Sequence, residues 1–319
     1  MKFTLFLLAL PAYAAITGTV VNQTTGKPQP GATVAFYKVA TATGPELVDQ
    51  IKSDAQGKFS LNQTPQGPCL LRTAYGGITY NHMLPPGSAT SGLTLDVYDT
   101  SKNPGDAKVT KHMILLEPGG GQVQVSETYL YTNSGKTAWN DPDLGTLKFA
   151  VPQGASKPEV RATAPGGMPL GAAVSRNPRT ESYFVDFAVK PGDTRFDVSY
   201  TAPYTEGSEF DGKVLTKDEN TYLIVPNGVT LEGAGLNDLG TEPKSQAHIF
   251  GLTAATYKVK MTGSVAASTA DSGDQADSSD SGPKIEQILP RVNRQTKLIL
   301  GVTLGILALG FVLLYRGRA

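Results

Sequence analysis

The 319-residue chain predicts an all-β protein: two consecutive β-sandwich domains, a flexible linker and a single C-terminal transmembrane helix. Three observations predict it. Apolar residues alternate by two through residues 15–262, with no sustained 3.6-residue period. Clusters of Gly, Pro, Asn and Asp interrupt those runs at intervals of roughly 8–15 residues. Finally, Leu298 to Tyr315 carries no charge and is long enough to cross a bilayer.

The elements follow in chain order. Lys2, the apolar run Phe3–Leu10 and the small-residue site Ala12-Tyr13-Ala14 are the parts of a secretory signal peptide, residues 1–14. Residues 15–102 form the first sandwich, with Ala32/Val34/Phe36 and Leu93/Leu95/Val97 on its inward faces. A polar, turn-rich stretch, residues 99–108, leads into the second sandwich, residues 103–262. There Val123/Val125, Val185/Phe187/Val189 and Phe196/Val198/Tyr200 alternate. Each half is long enough to bury a core of its own.

Residues 263–283 hold no aromatic, no Lys or Arg, and four acids: Asp271, Asp274, Asp277 and Asp280. Such a segment buries too little apolar surface to offset its ordering entropy and is expected to be a disordered acidic linker. Residues 284–297 make a basic juxtamembrane segment with Lys284, Arg291, Arg294 and Lys297. Ile285, Ile288, Leu289 and Val292 recur at helical spacing within it. Two readings stay open: a short interfacial helix, or simply the start of the membrane helix. Residues 298–315 span about 27 Å as a helix, and the tail 316–319 adds Arg316 and Arg318. Gly301 and Gly305 form a G-x-x-x-G pair able to seat a second helix. The basic N-side flank alone favours a cytoplasmic N-terminal side, but a signal peptide makes the span a stop-transfer segment. The expected product is a single-pass protein with its domains extracytoplasmic, periplasmic or on the cell surface, and a cytoplasmic tail.

Lys plus Arg and Asp plus Glu are 28 each. The balance is a cancellation, because an acidic linker stands next to a basic membrane collar. Without a clustered basic excess in the domains, nucleic acid is excluded as a partner. The single cysteine, Cys69, excludes an intramolecular disulfide and any Cys-rich zinc module.

The most specific signal lies in the first half. Ile16-x-Gly18-x-Val20 precedes Thr25-Gly26-Lys27-Pro28-Gln29-Pro30-Gly31-Ala32-x-Val34, and Asp54-Ala55-Gln56-Gly57-Lys58-Phe59-x-Leu61 follows. Asp54–Gly57 reads as a tight turn that sends Phe59 and Leu61 into the core on alternate residues. Over about residues 16–76 this pattern resembles the carboxypeptidase regulatory-like domain, a transthyretin-like β-sandwich. The resemblance implies a structural or binding role. It departs from the family at Gly67-Pro68-Cys69, where a Gly-x-Tyr element is usual, which leaves the register of the last strand open.

Catalytic motifs are missing. His82, His112 and His248 have no zinc-ligand spacing, H-E-x-x-H and G-x-S-x-G are absent, and no cofactor or metal is expected. Gly207–Val214 nearly spells a phosphate-binding loop, but Val214 lacks the hydroxyl and a β-hairpin turn is expected there. Asn22-Gln23-Thr24 and Asn62-Gln63-Thr64 have the spacing of glycosylation sites. Trp139 lies in a loop beside Asp141 and Asp143, and with Tyr129 and Tyr131 it forms the candidate ligand-binding set. The expected function is that of a non-enzymatic, membrane-anchored binding or scaffold protein of the bacterial cell envelope. Its expected partners are the membrane and either an envelope protein or a glycan. A carbohydrate-binding surface module is the alternative, and an enzyme whose site leaves no sequence motif is a further one.

Overall fold

The computed structural model describes residues 15–40, 44–177, 180, 182–216 and 221–263. The signal peptide, almost all of the linker, the juxtamembrane segment, the span with Gly301 and Gly305, and the tail lie outside the described residues. Among the described residues every regular element is a strand, and no helix is long and apolar enough to cross a membrane.

In the first half, Ile16–Asn22 is the hub of a four-stranded sheet. It pairs antiparallel with Lys58–Leu61 and Lys27–Pro28, and parallel with Leu93–Val97. The opposing sheet is an antiparallel run of Gly44–Lys52, Thr33–Ala40, Cys69–Tyr75 and Ile78–Leu84. Between them lies a core of Ile16, Val20, Val34, Phe36, Phe59, Leu61, Leu71, Leu95 and Val97. The motifs explain themselves here. A Cβ on Gly18 would sit 2.2 Å from the Leu93 carbonyl oxygen and 2.8 Å from the Phe59 ring, so only glycine lets the parallel partner approach. Asp54 Oδ1 accepts from the amides of Gln56 and Lys58 at 2.9 and 2.8 Å, closing the turn that aims Phe59 and Leu61 inward. Cys69 begins the strand that pairs with Thr33–Lys38, in register Lys38 to Cys69, and is buried there as a free thiol. That settles the register which the Gly67-Pro68-Cys69 departure left open.

The second half is built from three sheets sharing one core. Its spine is eight-stranded, in the order Leu170–Ala172, Glu159–Thr163, Gly192–Pro203, Gln122–Asn133, Ala107–Gly119, Thr221–Val225, His248–Leu252, Leu236–Thr241. Two three-stranded sheets complete it: Leu147–Ala150, Ser182–Val185 and Val174–Asn177, and then Glu209–Lys213, Thr256–Thr262 and Thr230–Gly233. Ala107–Gly119 and Gln122–Asn133 form a long hairpin joined by Gly120 and Gly121, at φ 62° and 78°. Consecutive left-handed residues suit the right-handed twist of a two-residue hairpin, and glycine accepts them without a Cβ penalty. Glu209–Lys213 is itself a strand, paired with Thr256–Thr262. The turn expected over Gly207–Val214 is confined to its start, where the Ser208 amide donates to the Thr205 carbonyl at 2.9 Å and Gly207 takes φ 75°; the rest is corrected to a strand, with Phe210 buried.

The two cores, residues 16–97 and 107–261, are stitched together. Thr100–Ser101 pairs in parallel with Ala138–Trp139. The Asp99 carbonyl accepts from the Ala138 amide at 2.9 Å, and within the first half Asn22, 3% exposed, holds Asp99 by donating from Nδ2 to its Oδ1 at 2.7 Å and to Gln29 Oε1 at 3.0 Å. Thr24 Oγ1 donates to the Lys136 carbonyl at 2.5 Å. Lys190 reaches from the second half, donating to the Thr79 carbonyl at 2.5 Å with its ammonium 4.7 Å over the Tyr80 ring. The Asn22 amide is thus committed inside the junction and is not open to a glycan. Asn62 is exposed.

Candidate functional site: a cleft with a buried carboxylate

The most developed site is a cleft of about 1210 Å³ where the three sheets of the second half meet. The strand Gln122–Asn133 turns its odd-numbered residues inward, and that face carries Glu127 between Val125 and Tyr129. Glu127 is 5% exposed and lines the cleft. A carboxylate out of water needs donors, and three supply them. Tyr129 Oη donates to Oε2 at 2.5 Å, His112 Nε2 lies 3.0 Å from the same oxygen, and Tyr200 Oη donates to Oε1 at 2.9 Å.

Sheet register brings them together. Glu127 stands opposite Ile114 on one side and Val198 on the other. His112 and Tyr200, two residues along each partner strand, are its diagonal neighbours, within reach of long side chains. The His112 ring stacks on Tyr129, with centroids 3.9 Å apart and planes 16° apart. Burial, then the adjacent Glu127 charge, hold the Tyr129 and Tyr200 phenols well above their usual range. Both stay protonated donors at neutral pH. His112 Nδ1 is buried without a hydrogen-bond partner.

The walls differ from the floor. Tyr200 and Tyr257 are buried beside Glu127, whereas Arg176, Lys213, Asp211 and Lys258 are exposed at the mouth. Lys258 Nζ is paired with Asp211 at 3.2 Å and Glu209 at 3.9 Å. Among the described residues, Arg176 and Lys213 have no ion-pair partner. Thr180 and Ser182 share a hydrogen bond of 2.7 Å and add hydroxyls, and Tyr183 adds a ring.

The candidate set read from the sequence is not one surface. Tyr129 and Tyr131 belong to the core. Tyr131 Oη donates to the Thr146 carbonyl at 3.2 Å, and its ring packs edge-on against Phe196. Their inward register on an alternating strand removes both from any surface stacking role, which corrects that expectation. Trp139 is half-buried in the junction. Its Nε1 donates to the Lys102 carbonyl at 3.1 Å, and its ring centroid lies 6.0 Å from that of Tyr131. Asp141 is buried and caps its own turn, accepting from the amides of Asp143 and Leu144 at 3.2 and 3.1 Å. Asp143 is exposed and pairs with Lys102 at 2.6 Å. These residues fasten the two halves together.

Sequence reasoning missed Glu127, although its signal was present: an acid on the apolar half of an alternating run, Val123/Val125/Glu127/Tyr129/Tyr131. The histidines are scattered. His82 is exposed on Ile78–Leu84, His112 is buried against Glu127, and His248 Nε2 lies 2.7 Å from Asp238 Oδ1. Among the described residues no group of three or more His, Cys, Asp or Glu gathers to hold a metal ion.

Residues 15–100 match the carboxypeptidase regulatory-like domain family. No curated protein matches the chain. Matching solved structures include two crystal structures of an M1 zinc metallopeptidase mutant from Deinococcus radiodurans, one of them bound to a Tyr-Ser-Ala substrate. Each is 11% identical with a TM-score of 0.29, covering 49% of this chain and 42% of that one. This chain thus spans less than half the length of that peptidase, and the likeness is too slight to bear on its chemistry. The turn motifs, the sandwich they build and the family match agree in likening residues 15–100 to the carboxypeptidase regulatory-like domain family.

Proposed function

We propose that this chain is a non-enzymatic, membrane-anchored binding protein of the bacterial cell envelope. Its regulatory-like domain is the rigid support, and the cleft of its second half is the binding element. The observation that carries this reading is Glu127, a charge held at the base of an open cleft by three donors from the surrounding strands. Such a preorganised polar group in a concave site is how ligand pockets fix orientation. The signal peptide, the acidic linker and the apolar stretch 298–315 support the extracytoplasmic placement.

Two measurements test it on the full chain in bacterial cells. Phosphatase fused after residue 268 is expected to be active and phosphatase fused after residue 319 inactive; the reverse pattern overturns the localisation. A photo-crosslinking residue at position 153, on the exposed lining of the cleft, is expected to capture an envelope component that the same residue at position 52 does not. Equal capture at both positions, or none at 153, removes the cleft as the binding element.

A further inference from the structure

We propose that the cleft around Glu127 binds an acidic glycan, an oligosaccharide carrying carboxylates. This deepens the reading of the cleft as the binding element and rests on it. Donors, acceptors and charge change along the depth of the cleft.

The deep end is an acceptor surface. Glu127 uses Oε2 for two partners and Oε1 for one, so a carboxylate with about four lone-pair sites keeps one for an incoming donor. Its neighbours Tyr200 and Tyr257 are buried. A negative, preorganised acceptor favours a ligand that presents hydroxyl hydrogens inward, and it repels a phosphate or a carboxylate at that depth. The Thr180 and Ser182 hydroxyls and the Tyr183 ring continue the polar and aromatic lining that sugar rings use.

The mouth has the opposite preference. Arg176 and Lys213 are exposed cations free of ion pairs among the described residues, while Lys258 is neutralised by Asp211 and Glu209. Two cations unpaired among the described residues, above a hydroxyl-seeking floor, call for a ligand that turns a hydroxylated edge to the floor and its carboxylates to the mouth. The volume, about 1210 Å³, exceeds the ~300–1,000 Å³ common for small-molecule pockets. That suits several linked sugar units better than one.

The test uses the full chain in lipid nanodiscs and titration calorimetry at about 0.15 M salt, where surface attraction is screened beyond about 8 Å. The probes are trigalacturonic acid, the neutral galactose trimer of the same linkage, and triglutamate. Trigalacturonate is expected to bind at least tenfold more tightly than either of the others. Arg176→Ser with Lys213→Ser is expected to cost trigalacturonate at least tenfold and to leave the neutral trimer unchanged. Tyr200→Phe, which removes one of the donors that set the Glu127 carboxylate, is expected to weaken both sugars. Unchanged trigalacturonate affinity in the double variant overturns the proposal. So does triglutamate binding as tightly as the sugar acid, which points to an acidic peptide instead, or no binding of any probe. Capture at position 153 together with any of these results leaves the cleft as the binding element and removes only the acidic glycan.

Discussion

Glu127 shows how much one side chain depends on its neighbours. It stands in a face otherwise made of valines and tyrosines, and the phenols of Tyr129 and Tyr200 together with His112 make that position tolerable. Removing the carboxylate strands those partners out of water. Glu127→Ala is therefore expected to destabilise the protein by about 3–5 kcal/mol, measured as a fall in urea midpoint. Tyr200→Phe, which leaves two donors in place, is expected to cost about 1–2 kcal/mol. Equal effects of the two substitutions would mean that the carboxylate carries no special burden. At Gly18 the constraint is steric. Gly18→Ala drives a Cβ against the Leu93 carbonyl and the Phe59 ring, and a loss of about 1–3 kcal/mol in thermal or urea unfolding is expected. Both residues were visible in the sequence to different degrees. Gly18 belonged to a motif, whereas Glu127 looked like one more residue of a strand, because two of its three partners sit 15 and 73 positions away in the chain.

At the scale of elements, the short pairing of Thr100–Ser101 with Ala138–Trp139 decides how the halves are joined. Trp139 covers that seam and gives its indole N–H to Lys102. Trp139→Ala is expected to cost about 2–4 kcal/mol and to raise amide exchange at residues 99–102 and 138–140. It is expected to leave trigalacturonate affinity within twofold, because the seam is not the cleft. A large loss of sugar affinity in this variant would restore Trp139 as a binding residue. The strands themselves were readable from alternation. What the alternation does not encode is which strands become neighbours. Glu209–Lys213 finds its partner Thr256–Thr262 over forty residues away, and no local signal announces that choice. The same holds for the parallel pairing of His112–Leu115 with Thr221–Ile224, which completes the eight-stranded spine.

For the molecule as a whole, the junction makes stability depend on pH. Burial lowers the Lys190 ammonium to about 8. Between pH 8 and its ordinary 10.5 the unfolded chain holds a proton that the folded chain lacks, so stability rises with pH there. Two opposing groups bound the window. Burial raises the Cys69 thiol above 9.0, and the buried tyrosines stay protonated above 10, so the unfolded chain ionises first and stability is lost from those values upward. Urea midpoints are expected to rise from pH 8 to 9 and to fall beyond about 10. Lys190→Met is expected to abolish the rise and keep the fall. A wild-type midpoint that is flat from pH 8 to 9 would remove Lys190 from this role.

The sequence by itself determined the all-β class, the turn motifs within residues 16–76 and the separation of an acidic Ser/Asp-rich stretch from a basic, apolar end. These depend on local periodicity and composition, which a linear reading contains. Only the tertiary structure decided that Tyr129 and Tyr131 are core residues, that Trp139 and Asp99 belong to a seam, and that Glu127 stands at the base of a cleft. Each of those outcomes follows from register. A strand's inward face is set by which partners pair with it, and those partners lie far along the chain. The neutral average charge hid this as well, since Arg176 and Lys213 at the cleft mouth and Glu127 at its floor come from three different sheets.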